Sequence, residues 1–227
     1  MKYLKLFESF IGKSIYVLSG YEEEFDRVYK DKNYSDYEFG EILNILSTDC
    51  SEFLNELSDK NQYPLFRGAS NMDDVTEGMW EKVSRIDRFP RDSSEEFSSD
   101  FDDIFEKEFG IRLRTSGVFT TKSPVIADSY AGSFYMFFPL NGYRYYHNNE
   151  AVDLFALQPS YYVSDEKKVS DINDKIKHWV SGYEVNSMEN AKLCEITFIC
   201  EKYYLLDLAF YRDICNHLGL EMHTKNL

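Results

Sequence analysis

Tryptophan is scarce in this chain: two residues in 227, against 18 Tyr and 18 Phe. Cysteine is scarce too. Cys50, Cys194, Cys200 and Cys215 form no CxxC pair, and no histidine cluster accompanies them at zinc spacing. His147, His178, His217 and His223 are scattered, so the sequence offers no metal site built on histidine. A disulfide scaffold does not suit a chain of this length, and the four thiols read as reduced, in a cytoplasm. No apolar run approaches the length of a membrane span. The N-terminus lacks the long uninterrupted apolar core of a secretory signal. The GxSxG, P-loop and GxGxxG patterns are missing, which removes three common catalytic and nucleotide-binding routes. Positive charge is also short. Lys and Arg number 25 against 40 Asp and Glu, for a net charge of −15. Such a surface repels phosphate backbones and excludes a generic nucleic-acid groove. It leaves an acidic solvated surface or a basic protein partner.

What is present is an aromatic-rich core. The hydrophobic fraction is 43%, and flat amphipathic rings suit a pleated, half-buried sheet. Residues 1–12 form a short amphipathic stretch, read either as a leader or as a terminal helix. Residues 13–60 are expected to form a helical N-terminal layer, with Ile42, Leu43, Ile45, Leu46, Phe53, Leu54 and Leu57 at helical spacing. Residues 61–227 are expected to form the main domain. Within it, 63–68 reads as a strand, 68–80 as a loop and 85–93 as a basic, Pro-containing loop. Phe97, Phe101, Ile104, Phe105 and Phe109 line one face of a helix that Asp92 or Ser93 caps and Gly110 stops. On that helix Asp100, Asp102 and Asp103 read as a solvated face. Residues 117–123 form a strand entering a turn, and 125–131 a short helix. The run 133–140 reads as a central strand, and Asn141-Gly142 as a hairpin turn into the return strand Tyr143–Tyr146. Strands are also expected at 194–200 and 203–208. The fold class is therefore α+β.

Three segments suit one reaction, the breaking of the bond between ribose and nicotinamide in NAD. That bond breaks through a cation resembling the one in glycoside hydrolysis. It needs a carboxylate beside the developing charge, a group that holds the phosphates and a hydroxyl that fixes geometry. Arg67, after Phe66 and before Gly68, ends a strand where a guanidinium can grip a diphosphate; Gly68 permits a close backbone approach. In Gly117–Ser123, Phe119 and Thr121 point one way and Val118 and Thr120 the other. Tyr130, which follows, can stack on a nicotinamide ring. Glu195 opens the apolar strand 194–200, where it shares a face with Thr197 and Ile199. A carboxylate there is costly to bury without partners.

Taken together, "FRG", then "GVFTTKS", then Ala127 and Tyr130, then a Glu opening a strand resembles the Arg–Ser/Thr–Glu signature of the ADP-ribosyltransferase superfamily. The resemblance spans Leu65 to Leu208. It implies a split β-sandwich and NAD as the substrate, with no metal. It assigns NAD binding to Arg67, Gly68, Thr120, Ser123 and Tyr130, and catalysis to Glu195 with Thr121 and Arg67. In that family the Ser or Thr orders the site. Two departures stand out. Arginine-modifying members often carry Glu-x-Glu, whereas Leu193 precedes Glu195 by two; Glu184 and Glu189 are the nearby acids. The middle motif reads Thr-Thr-Lys rather than Ser-Thr-Ser.

Leu6-Phe7-Glu8 resembles the maturation-cleavage signal of contractile-tailed bacteriophages, and Arg88–Ser93 resembles a loop in uncharacterised proteins of those phages. Together these imply a phage enzyme that modifies a host protein or other host macromolecule in the host cytoplasm, delivered from the virion if the leader is used. A non-enzymatic head or host-defence-binding protein and an NAD glycohydrolase are the alternatives.

Overall fold

The computed structural model describes residues 36–59, 62–69, 78–88, 93–131, 133–150, 166–191 and 194–220. The stretch 1–12 and residues 13–35 of the expected helical layer lie outside them. Among the described residues the architecture is α+β, with antiparallel strand pairing. No helix among them is long and apolar enough to cross a membrane. The chain divides into two compact units, and the division passes between Thr120 and Thr121.

The first unit contains residues 1–82, 121–141 and 203–227. Its helices α1 (Asp36–Asp49) and α2 (Ser51–Asp59) bury Ile42 and Leu46, then Phe53, Leu54 and Leu57, with Cys50 buried between them. That spacing keeps one stripe apolar and leaves the other face in water. The strand order is β2 (Met79–Val83), β8 (Lys202–Leu206), β4 (Phe134–Pro139), β1 (Leu65–Gly68). β4 is thus flanked on both sides, as its apolar sequence predicts. β2 takes over at Met79 and Trp80 from the loop expected over 68–80. Its sequence, MWEKV, carries one buried apolar residue, Trp80, between polar or half-buried neighbours. Phe66 on β1 packs against Phe134 and against Tyr211 of α7 (Tyr211–Leu218), with ring centres 5.8 and 6.0 Å apart.

Asn141-Gly142 does not close a hairpin. The Asn141 side chain accepts a hydrogen bond from the Glu52 amide (3.0 Å) and donates to the Thr48 carbonyl (3.1 Å), and its own amide donates to Asp49. Asn141 therefore satisfies backbone groups where α1 passes into α2. The following strand, β5 (Arg144–His147), pairs with β7 (Glu195–Ile199) and β6 (Glu184–Val185).

The second unit contains residues 83–120 and 142–202. Its strand order is β3 (Val118–Thr121, in this unit to Thr120), β7, β5, β6. Helices α3 (Glu95–Phe109), α4 (Leu113–Ser116) and α6 (Glu166–Ser181) supply an aromatic layer. Phe97, Phe101, Phe105, Tyr146, Ile176, Val180 and Tyr183 form its core, and Phe105 meets Tyr183 edge to face at 5.0 Å. The expected phenylalanine stripe and the Gly110 stop are present, with Gly110 left-handed at φ 75°. The cap is Ser94, whose hydroxyl accepts from the Phe97 amide, rather than Asp92 or Ser93. Ser94 stands three residues before that amide, the spacing capping requires. The short α4 was not anticipated; four residues carry too little periodicity to be read.

Candidate functional site

In the first unit, β1 and β3 run antiparallel with Phe66 opposite Thr121. Directly paired residues share a face and neighbours along a strand do not. Arg67 and Thr121 therefore point to opposite faces. Arg67 is half-buried, opposite Tyr135 of β4, with its guanidinium 5.6 Å from the ring centre of Tyr203. This is a cation held on an aromatic surface. Trp80 meets Tyr135 at 5.0 Å, and the buried Trp80 indole N–H has no hydrogen-bond acceptor among the described residues.

Thr121 is buried on the Phe66 side. Its hydroxyl accepts a hydrogen bond from the Ser123 amide (3.1 Å), and the Ser123 hydroxyl accepts from the Ile126 amide (3.4 Å). The two hydroxyls build the turn into α5 (Pro124–Ala131), with Pro124 at the first helical position, where its missing N–H costs nothing. The role they fill here is to order the chain rather than to line an open ligand surface.

Gly68 has a similar explanation. A methyl group there would run into the Ala127 carbonyl and lie 3.0 Å from the Tyr130 Cβ. Its bareness lets α5 lie against β1, so the close approach expected of a ligand is made by a helix. Gly68→Ala is expected to cost about 1–3 kcal/mol through overpacking, read as a lower urea midpoint; an unchanged midpoint would contradict this packing role. Tyr130 is half-buried beside that contact.

In the second unit Thr120 is buried, and its hydroxyl donates to the Ile196 carbonyl of β7 at 2.8 Å. Glu195 is half-buried at the start of β7, and the Thr197 hydroxyl lies 3.5 Å from its Oε1, a long contact. Thr197 is opposite Tyr146, so Glu195 and Thr197 lie on the face that carries the aromatic helical layer. The Tyr183 hydroxyl in that layer is held protonated well above the usual tyrosine range, first by burial, then by the negative charge of Glu195, with Arg114 acting the other way. Glu184, one of the nearby acids, sits on β6 opposite His147. Hydrogen bonds from Asn190 and then Ser187 hold it below the usual carboxylate range. Glu189 is exposed, and Leu193 lies outside the described residues.

No protein-family model, curated protein or solved structure matches this chain.

Arg114 was not singled out by the sequence, whereas Arg88 reads as a base that touches phosphates or pairs with local carboxylates. Asp102, expected on a solvated face, is buried. It accepts hydrogen bonds from the Arg114 amide (2.6 Å), the Thr115 amide (3.0 Å) and the Thr115 hydroxyl (2.6 Å). It satisfies the open N–H groups at the start of α4 and fixes the backbone of Arg114. Arg88 and Arg114 in turn both lie on the ring of Phe119, with guanidinium carbons 4.6 and 5.0 Å from its centre. No group of three or more His, Cys, Asp or Glu side chains able to hold a metal occurs among the described residues.

Proposed function

We propose that this chain is a phage-encoded, NAD-dependent ADP-ribosyltransferase that modifies a host macromolecule, on a split β-sandwich. The observation that carries the reading is Glu195: a half-buried carboxylate opening an apolar strand, with a hydroxyl beside it and an aromatic layer on its face. The order of the Arg67, Thr121 and Glu195 segments supports it.

In the proposed reaction the bond from ribose C1′ to the nicotinamide nitrogen breaks, and nicotinamide leaves with the electron pair. The Glu195 carboxylate stabilises the positive charge left on the ribose and accepts a hydrogen bond from its 2′-hydroxyl. Arg67 holds the phosphates by charge-assisted hydrogen bonds. Thr121, through the Ser123 amide, keeps the following turn in place. A nucleophile on the acceptor then attacks C1′ and loses its proton. Leu193 in place of an acid argues against arginine as that acceptor.

A second reading, a binding protein on the same architecture, is favoured by one set of observations. The Thr120, Thr121 and Ser123 hydroxyls and the bare face of Gly68 all serve strand and helix packing. Incubating the chain with labelled NAD and a host lysate separates the readings. Label on a macromolecule, lost with Glu195→Gln, supports transfer. Nicotinamide release without labelled product indicates a glycohydrolase. Neither signal, from folded protein, leaves the binder.

A further inference from the structure

In the second unit His147 of β5 stands opposite Glu184 of β6 and Ile196 of β7. Antiparallel pairing carried one residue further sets Asn148 between Tyr183 and Glu195, in one row across three strands. Tyr146, two residues back along β5, stands between Val185 and Thr197. Alternation therefore gives Tyr183, Asn148 and Glu195 the same face as Tyr146 and Thr197. That face carries the aromatic helical layer, in which Tyr183 meets Phe105 edge to face at 5.0 Å and Phe101 at 6.1 Å. The middle of the row is fixed. Asn148 is buried, donates to the Trp179 carbonyl at 2.7 Å and accepts from the Glu150 amide at 2.8 Å. Gly182 lets the chain close on it, since a side chain there would come within 2.9 Å of the Asn148 amide nitrogen.

Tyr183 is 9% exposed. Burial first, then the charge of Glu195, keep its hydroxyl protonated; Arg114 acts the other way, and no hydrogen bond contributes. A buried tyrosine hydroxyl ordinarily ends on a hydrogen-bond partner. This one remains a donor on the same side of the sheet as Glu195, whose ionised carboxylate can only accept.

We propose that the Tyr183 hydroxyl and the Glu195 carboxylate together bind the vicinal diol of a ribose, Tyr183 donating to one hydroxyl oxygen while Glu195 accepts from the other hydroxyl. A sugar hydroxyl both gives and takes a hydrogen bond. A diol therefore answers a donor and an acceptor that share one row, which a phosphate, with acceptors alone, does not. Against the buried aromatic layer the local dielectric is low, so each bond is stronger than it would be in water. Tyr183 is thereby added to the NAD site read at Glu195, on which this role rests, as a binding residue outside the Arg–Ser/Thr–Glu signature.

The test uses the full chain with ADP-ribose, which carries the diol but no nicotinamide bond, and with ADP, which lacks the terminal ribose. Thermal unfolding across a range of ligand concentrations reads both affinities. Tyr183→Phe removes only the hydroxyl and keeps the ring against Phe105, so the melting curve without ligand is expected to stay close to that of the parent. Its Kd for ADP-ribose is expected to rise about tenfold, and its Kd for ADP to stay unchanged. No ADP-ribose binding by the parent, an unchanged Kd in the Phe variant, or an equal loss for both ligands overturns the role. Nicotinamide release from NAD keeps the two readings apart. Turnover by the parent, with ADP-ribose affinity indifferent to Tyr183→Phe, overturns only the diol contact. Binding of ADP-ribose that depends on the tyrosine, without turnover by the parent, sinks only the cleavage.

Discussion

Glu195→Gln is expected to lower NAD cleavage by about 10²–10³-fold, the loss typical when one preorganised group facing a transition-state charge is removed. The substitution keeps the shape of the side chain and an oxygen for the Thr197 hydroxyl, 3.5 Å away in the parent. What it deletes is the negative charge beside the ribose cation. That charge matters far more in the transition state than in bound NAD, so kcat falls and KM stays close to the parent value. Glu195 is half-buried and begins its strand, so the urea midpoint is expected to move little. Nicotinamide release measured beside a denaturation curve reads both quantities. Parent-like turnover in the Gln variant would remove Glu195 from the reaction.

The largest stability effect is expected at Asp102, far from any reacting atom in its role. The carboxylate is buried and accepts three hydrogen bonds from Arg114 and Thr115. In Asp102→Ala those donors lose their acceptor. Two of them are backbone amides opening α4, which cannot turn elsewhere. Hydrogen bonds to charged groups contribute about 1.5–3 kcal/mol each, and neighbouring losses do not simply add. A total of about 3–5 kcal/mol is expected, like that of breaking a buried ionic contact. For a chain of this size that lowers the unfolding temperature by roughly 6–20 °C. Asp102→Asn retains one good acceptor but turns an NH2 group toward other donors, so about 2 kcal/mol or more is still lost. A parent-like melting curve for Asp102→Ala would show that α4 forms without this cap. Asp103→Ala is the natural comparison: its carboxylate is half exposed and pairs with Arg112 at the surface, a contact expected to contribute under about 1 kcal/mol.

How far the sequence revealed this arrangement depends on the range of the interactions involved. The α3 stripe and its Gly110 stop were legible because helix periodicity and a left-handed cap are local properties. The alternation of faces in β3 and β7 was legible for the same reason, since a two-residue period sets Ile196 and Phe198 on one face and Glu195 and Thr197 on the other. Burial was not legible: Thr120, Thr121 and Thr197 are all buried. Pairing partners were not legible. Asn141-Gly142 carries the local mark of a hairpin, yet the Asn141 side chain serves the junction of α1 and α2, some 90 residues earlier in the chain. Asp102 looked solvated because its partners lie 12 and 13 residues on, in a helix too short to anticipate. The same limit applies to the candidate site. The residue types at 67, 121 and 195 could be read in order, but whether a hydroxyl faces a ligand or a backbone amide depends on the turn that follows it. Thr121 and Ser123 face amides. Arg114 is the second of two arginines in "RLRTS" and carries no local mark of its place; it becomes notable only once Arg88 reaches the same ring.

Binding of NAD itself tests the account most directly, because every proposed role of Arg67 and Glu195 presupposes it. Thermal unfolding of the full chain in millimolar NAD is expected to show a saturable rise in the transition temperature, as mass action requires of any ligand in excess over its Kd. Arg67→Ala should weaken that rise, and Glu195→Gln should preserve it. A transition temperature that does not move in millimolar NAD would contradict the account.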